Sequence, residues 1–204
     1  MHDAPTHVTP NRRGVLLSGL ALAVTPAQVW AQMAGGAKAP LPTRQQTLLD
    51  QVADLTIPDT DTPGALKAGV PAFVSLAMAH GVSGSNVPVP PALFTGGTGP
   101  EGASALDWLG FELDLKAGGK FLSAKPDVQF KALADLDAQS FTKGNEKSPW
   151  RMLKGLILTG YYTSEIGASQ ELQYELVPGR WDPDVPVGPK ERAWSSDWTA
   201  VDFG

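Results

Sequence analysis

Glycine and proline place the strongest constraint on how this chain folds. Its 204 residues include 22 glycines and 18 prolines. Both residue types weaken helices and strands when they lie inside them. Between residues 81 and 100, nine of the twenty positions are glycine or proline. Regular elements must therefore be short, and we expect the 81–100 segment to be an exposed insertion or a flap that contacts a partner.

The stretches between these breakers have the three- and four-residue apolar spacing of amphipathic helices. Thr43 and Gln46 have the spacing of a capping box that opens the first helix, and Ser104 caps a later one. Prolines begin three further helices, at Pro71, Pro126 and Pro149. The side chains expected to face the core are Leu48, Leu49, Val52, Leu55, Phe73, Val74, Ala77, Met78, Leu106, Leu109, Phe111, Leu113, Phe130, Leu133, Leu136, Trp150, Leu153, Leu156, Ile157 and Tyr161. The sequence therefore predicts an all-α fold, an irregular bundle of about five or six helices with long loops and an extended aromatic C-terminal arm.

Composition and charge exclude several classes of protein. A hydrophobic content of 42% with 18% charged residues is typical of a globular protein and excludes collagen, extended disorder and multispanning membrane proteins. The absence of cysteine excludes disulfides, thiolate nucleophiles, iron–sulfur clusters and thiolate zinc sites. With a net charge of −5 and no run of Lys or Arg, nothing neutralises a phosphate backbone. Nucleic acid is therefore not an expected partner.

The N-terminal residues have the pattern of an export signal. Arg12 and Arg13 precede an eleven-residue apolar run at 14–24, which is too short to span a bilayer. Small residues before Gln32 predict cleavage after Ala31. The paired arginines resemble a twin-arginine signal. We expect a cleavable signal at 1–31, a linker at 32–42 and a single helical domain at 43–204; a buried or interfacial N-terminal helix is the alternative.

The C-terminal residues 175–204 combine backbone breakers with large aromatic side chains. Trp181, Trp194 and Trp198 each carry roughly 150–250 Å² of surface that is unfavourable to leave in water. The rings either fold back onto the helices of this chain or form an arm that docks on a partner. We therefore treat these three tryptophans as candidate partner-binding residues.

Two short motifs resemble catalytic or cofactor sites. Gly97, Gly99 and Gly102 have the glycine spacing of a dinucleotide-binding loop, but the prolines before them exclude the strand that this loop must follow. Asp59 and Asp61 resemble an aspartic protease loop, yet such enzymes need a second matched loop that the chain lacks. Two carboxylates also fall short of the oxygens that calcium takes. We expect Asx turns at Pro63 instead.

Reactive side chains are otherwise scarce in the predicted mature chain. Its single histidine, His80, falls at a predicted helix end, where a capping role explains it better than a catalytic triad or a metal site. An exported protein with few catalytic groups and several features suited to partners is more economically read as an accessory subunit than as an enzyme.

Three segments resemble the small (gamma) subunit family of gluconate 2-dehydrogenase. They are LTIPDTDTPGA at 55–65 with AGVP at 68–71, LTGYYTSEIG at 158–167, and LQY at 172–174 with VPGR at 177–180. The motif residues expected to set the shape of this family are Pro58, Asp59, Thr60, Asp61, Thr62, Pro63, Gly64, Gly160, Tyr161, Ser164, Glu165, Pro178 and Gly179. Ser164 is expected to cap a turn and Glu165 to accept from nearby amides.

The resemblance implies a periplasmic complex of three parts. A large FAD-containing dehydrogenase oxidises a sugar or sugar acid, and a multihaem cytochrome c takes the electrons. The small subunit holds neither flavin nor haem and no catalytic, cofactor-binding or metal-binding residue. It binds and stabilises the large subunit and lends it the twin-arginine signal for the translocase, with membrane association only through partners.

Two other hypotheses remain at this point. Besides the escort subunit, the chain could be a freestanding periplasmic carbohydrate-binding module that uses Trp181, Trp194 and Trp198. A hydrolase built on Asp59 and Asp61 is the third. Sugar titration of tryptophan fluorescence separates the first two, and Asn substitutions test the third.

Overall fold

The computed structural model describes residues 41–174, 186, 188 and 191–195. The predicted signal residues Arg12, Arg13, Ala31 and Gln32 lie outside these residues, as do Pro178, Gly179, Trp181 and Trp198. The described part contains five α-helices: α1 (Thr43–Thr56), α2 (Val70–Ala79), α3 (Ala105–Lys116), α4 (Pro126–Ser140) and α5 (Pro149–Tyr162). The prediction of an all-α bundle is confirmed.

Short turns and one small strand pair accompany the helices. Three 3₁₀ turns occupy Val82–Gly84, Pro91–Leu93 and Phe121–Ser123, and a π-helical turn occupies Gly167–Glu171. Strands β1 (Gln173–Tyr174) and β2 (Trp194–Ser195) pair in parallel, with Gln173 opposite Trp194. The sequence did not predict this pairing, in which β1 lies immediately before the expected C-terminal arm at 175–204 and β2 lies inside it. Within the described residues, no helix is both long and apolar enough to cross a bilayer.

The helix boundaries follow from the local sequence. Pro71, Pro126 and Pro149 lie in the first turns of α2, α4 and α5, where a missing backbone N–H costs nothing. At the start of α3, the side chains of Ser104 and Asp107 accept from each other's backbone N–H groups and form a complete capping box.

The capping box predicted for α1 is wrong. Pro42 occupies the N-cap position with φ −52°, Thr43 is already helical, and no side chain caps the helix. The Gln46 side chain instead donates to the Asp50 carboxylate one turn later, at 2.7 Å. Proline fixes the backbone at the helix entrance without a side-chain acceptor, so α1 begins one residue earlier than the capping box requires.

The core forms where α5 meets its neighbours. Helix α2 packs against α5, α3 packs against α4 and α5, and α1 packs against α3. Most of the predicted core positions are buried, with Trp150, Leu153, Ile157 and Tyr161 at most 2% exposed. The amphipathic spacing of α5 thus correctly marked it as the core helix.

Two predicted core residues point outward. Phe111 is 43% exposed and Phe130 is 62% exposed. On α3 the buried row runs through Trp108 and Glu112, so Phe111 falls beside that row and meets the Phe94 ring edge-on. On α4 the buried position next to Phe130 belongs to Gln129.

The 81–100 segment is not a free flap. Val89 and Phe94 are buried in the core, and the backbone N–H of Val89 donates to the Ala103 carbonyl at 2.8 Å. The Trp108 indole N–H donates to the Leu93 carbonyl at 2.9 Å. Prolines and glycines prevent regular structure, but the apolar residues between them still bury themselves against α3.

Candidate functional site

The first motif segment forms a tight bend between α1 and α2. The Asp59 carboxylate accepts a hydrogen bond from the Gly64 backbone N–H at 2.7 Å and pairs with the Lys67 ammonium. Both contacts lower the pKa of Asp59, the Lys67 hydrogen bond most. Gly64 leaves no room for a side chain, because a Cβ there would lie 2.5 Å from the Ile57 carbonyl oxygen. Asp59 therefore caps the bend through an N–H five residues later, and this bond is not the Asx turn that the sequence predicted, which spans two residues.

Asp61, two residues later, holds a distant part of the chain. Its carboxylate pairs with the Arg192 guanidinium at 2.7 Å, and this hydrogen bond is the main cause that lowers the pKa of Asp61. Arg192 also donates to the Gln170 carbonyl. The carboxylate thus closes the bend against residues far away in the sequence.

Thr62 and Pro63 connect the bend to the residues that follow α5. The Thr62 hydroxyl is buried and donates to the Glu171 carboxylate at 2.5 Å. The buried Tyr161 hydroxyl donates to the Pro63 carbonyl at 3.0 Å. Each bond satisfies a polar group that burial would otherwise leave unpaired.

The second motif segment turns the chain sharply at the end of α5. The Ser164 hydroxyl donates to the Tyr161 carbonyl at 2.6 Å and accepts from the Gly167 N–H at 3.0 Å. A Cβ on Gly167 would lie 2.0 Å from the Tyr161 carbonyl oxygen. Ser164 therefore caps this turn, as the sequence predicted. Within the described contacts, the exposed Glu165 carboxylate accepts from no amide, contrary to expectation.

Gly160 serves close packing between two helices. A Cβ there would lie 2.6 Å from the Phe73 ring of α2, and Gly160 itself is buried. Small size at this position allows α2 and α5 to approach each other.

The contacts of the first and second motif segments, apart from the packing of Gly160, meet at one place, which we call the elbow junction: residues 57–64, residues 161–171 and Arg192. The third motif segment joins it through β1, where the Gln173 N–H donates to the Ala193 carbonyl at 2.9 Å. Of the predicted motif residues, the structure brings Asp59, Asp61, Thr62, Pro63, Gly64, Tyr161 and Ser164 together here. The junction fixes the shape of the backbone, and both of its aspartates are already committed to cations.

The residues considered for chemistry do not assemble into a reactive group. His80 is exposed and occupies the C-cap of α2, as the capping hypothesis predicted. Among the described residues, no three His, Asp or Glu side chains lie where they could hold a metal ion. Gly99 packs against the Phe94 ring, and the segment before it is the turn Pro91–Leu93 rather than a strand. The described geometry thus offers no dinucleotide loop there.

Sequence reasoning missed a buried carboxylate. Glu112 of α3 is 3% exposed, and its two oxygens accept from the Thr95 backbone N–H and hydroxyl, each at 2.7 Å. This contact ties the 81–100 segment to α3. The position of Glu112 between Leu109 and Leu113 on the buried helix row was the signal that pointed to it.

The candidate partner-binding tryptophans are described only in part. Trp194 lies in β2 and is 56% exposed, whereas Trp181 and Trp198 fall outside the described residues. A ring of this size with more than half its surface in water is a suitable anchor for a protein contact.

The fold and the junction define a class, a small helical protein in which the motif residues hold the backbone together. The chain belongs to the gluconate 2-dehydrogenase subunit 3 family, whose model matches residues 43–179. Members of this family are accessory subunits of a dehydrogenase complex. No curated protein and no solved structure matches the chain.

Proposed function

We propose that this chain is the non-catalytic small subunit of a periplasmic, FAD-dependent dehydrogenase complex of the gluconate 2-dehydrogenase type. It binds the flavoprotein large subunit, stabilises it and carries the twin-arginine signal that exports both. The flavin belongs to the large subunit, and the haem belongs to a cytochrome c subunit that takes the electrons.

Family membership over residues 43–179 is the observation that carries this proposal. The elbow junction supports it, because Asp59 and Asp61 are held in ion pairs with Lys67 and Arg192. Carboxylates bound in this way set the shape of a surface and are not placed to act as an acid and base pair. The exposed Trp194 ring adds an apolar anchor for a partner.

Binding to the native large subunit would stabilise it by mass action, since a partner that binds only the folded form shifts the folding equilibrium toward it. The same association of the two folded subunits also explains how both could be exported. The twin-arginine route carries folded proteins, so one signal suffices for two subunits that associate before translocation.

Co-production of the two subunits tests the proposal directly. Replacement of Arg12 and Arg13 by Lys is expected to leave the large subunit in the cytoplasm, while fusion of a separate twin-arginine signal to the large subunit restores its export. The matched control replaces Arg44 by Lys, which preserves a cation beside Asp114. Full export of the large subunit with the Arg12 and Arg13 variant would refute the escort function.

The exposed Trp194 also motivates the alternative, a freestanding carbohydrate-binding module. That function predicts a change in tryptophan fluorescence when sugars are titrated into the protein without the large subunit. A Trp194→Phe variant would remove part of the response. A silent titration, together with co-purification with the large subunit, favours the accessory subunit.

A further inference from the structure

A pocket of about 270 Å³ lies between the 81–100 segment, α3 and the loop that joins α4 to α5. Leu93, Trp108 and Leu136 line it with apolar surface, and Glu112 lines it with a carboxylate. We call it the Glu112 pocket. Pockets for drug-sized ligands and cofactors usually measure about 300–1,000 Å³. This pocket therefore suits a single side chain or a molecule of that size.

The carboxylate of Glu112 is buried without a counterion. Glu112 is only 3% exposed, and its two oxygens accept from the uncharged N–H and hydroxyl of Thr95. Lys116, one turn along α3, donates to Gln139 instead, at 2.7 Å. In the part of the chain that the structure describes, no cation lies within ion-pair distance of Glu112. Burial of a carboxylate without a cation is costly, so the pocket favours a ligand that supplies one.

The other charges at the pocket do not set the sign of a ligand. Glu146 and Lys147 stand exposed at its rim with opposite charges, and water screens charges at a surface. The C-terminal end of α4 and the N-terminal end of α5 border the pocket through Ser140 and Pro149, and their partial charges oppose each other. Among the described residues that line the pocket, Glu112 alone is both charged and buried. The preferred ligand is therefore a cation.

Thr95 restricts which cation fits. Its N–H and its hydroxyl contact one oxygen of Glu112 each, so Thr95 occupies the open end between the two oxygens. A forked guanidinium bonds both oxygens from that same end, which Thr95 blocks. An ammonium group needs only one oxygen and brings three N–H donors. Asn145 offers a second acceptor, because its amide nitrogen donates to Gln139 and Thr142 while its Oδ1 accepts from no described donor.

We infer that the Glu112 pocket binds a primary ammonium group through an ion pair with Glu112. The site goes beyond the proposed function, because this chain alone contains it. The alkyl part of the amine packs on the apolar walls, and the charged end reaches the buried carboxylate. A free alkylamine and a lysine side chain of the large subunit carry this same chemistry, and the experiment separates the two sources.

The test titrates n-butylammonium chloride into the purified full chain at constant ionic strength. NMR follows the backbone amide of Thr95 and the indole N–H of Trp108, which donates to the Leu93 carbonyl at the pocket wall. Both signals are expected to shift with one dissociation constant. The alcohol n-butanol has the same chain without the charge, and it is expected to bind at least about tenfold more weakly, because hydrogen bonds between charged groups are the stronger ones.

The variant Glu112→Gln keeps the size of the side chain and removes its charge. It is expected to weaken the binding of n-butylammonium by about tenfold or more. The matched control is Glu146→Gln at the exposed rim, which should change the affinity by less than about twofold. If Glu112→Gln does not fold, the comparison of n-butylammonium with n-butanol in the unaltered chain still decides the question.

Three results overturn the inference. They are equal binding of the amine and the alcohol, no shift of the Thr95 and Trp108 signals, and binding of the amine only after Lys147→Gln, which would show that Lys147 itself fills the pocket.

The complex with the large subunit identifies the source of the ammonium group. If n-butylammonium binds the complex as it binds the chain alone, the ligand is a free amine. If it instead releases the large subunit from the wild-type chain and leaves the complex of the Glu112→Gln chain unaffected, the ligand is a lysine of that subunit. A chain that binds the amine but never binds the large subunit supports the pocket and refutes the proposed function.

Discussion

The Asp61 carboxylate accepts a hydrogen bond from the Arg192 guanidinium at 2.7 Å, although 131 positions of sequence separate the two residues. The bond ties the bend after α1 to the residue that precedes β2 by two positions. Because Arg192 also donates to the Gln170 carbonyl, one side chain connects three segments. The elbow junction is thus built from contacts of very different sequence separation.

Acid is expected to weaken the elbow junction. Lys67 and Arg192 hold the pKa values of Asp59 and Asp61 below their usual range. A carboxyl whose pKa is lower in the folded state stabilises the fold above its unfolded pKa of about 3.9, and the contribution disappears as pH falls through the folded pKa. The Asp59→Asn, Asp61→Asn double variant should therefore show a flatter loss of stability between pH 5 and the folded pKa values.

Urea unfolding followed by circular dichroism at several pH values measures this difference. Both carboxylates are exposed at the surface, so salt should reduce the effect. If the free energy of unfolding fell equally steeply with decreasing pH in the double variant, other carboxylates would determine the acid sensitivity and the prediction would be wrong.

Replacement of Gly64 by Ala should destabilise the fold by about 2 kcal/mol, the cost of forcing an atom into a space already filled by backbone. The added Cβ would meet the Ile57 carbonyl oxygen at 2.5 Å. The matched control is Gly155→Ala on the exposed side of α5, where nothing lies within 4 Å. That change should raise stability by about 0.5–1 kcal/mol, because Gly inside a helix costs backbone entropy. Thermal unfolding of both variants gives the comparison.

Replacement of Tyr161 by Phe should cost about 1–2 kcal/mol, because the Pro63 carbonyl loses its buried donor. Tyr162 provides the control on the same helix, since its ring is 42% exposed. Tyr162→Phe should change stability by less than about 0.5 kcal/mol. Equal effects of the two substitutions would contradict the structural importance of the Tyr161 hydroxyl.

Replacement of Thr95 by Val should loosen the 81–100 segment without unfolding the bundle. The variant removes one of the two donors to the buried Glu112 carboxylate, at a cost of about 1.5–3 kcal/mol for a bond to a charged group. Hydrogen exchange should accelerate at the amides of Val89 and Gly99, which lie in this segment and donate to the Ala103 and Pro91 carbonyls. Thr98→Val, at an exposed position of the same loop, is the control and should leave exchange unchanged.

Local sequence predicted most of the fold. The prolines at the start of α2, α4 and α5 and the capping box of α3 act within a few residues, so they can be read from the chain. Phe111 and Phe130 were placed wrongly, since apolar spacing does not distinguish the buried row of a helix from its neighbour. Trp108 and Gln129 occupy the buried rows in their place.

The candidate site also contains both local contacts and contacts between residues far apart in the sequence, and only the local ones could be predicted. Ser164 caps a turn through an N–H three residues later, a role that the sequence predicted. Asp59 accepts from an N–H five residues later, where the sequence predicted a shorter Asx turn. Glu171 and Arg192 gave no such signal, because their partners Thr62 and Asp61 lie more than a hundred residues earlier.

The sequence by itself determined where the helices begin and end, since proline, glycine and capping side chains act through the backbone next to them. It also determined which family the motifs resemble. Only the tertiary structure decided which carboxylates meet which cations and which aromatic rings stay in water, such as Phe130. Those outcomes depend on how the helices pack, because a contact between distant residues forms only when the whole core brings them together.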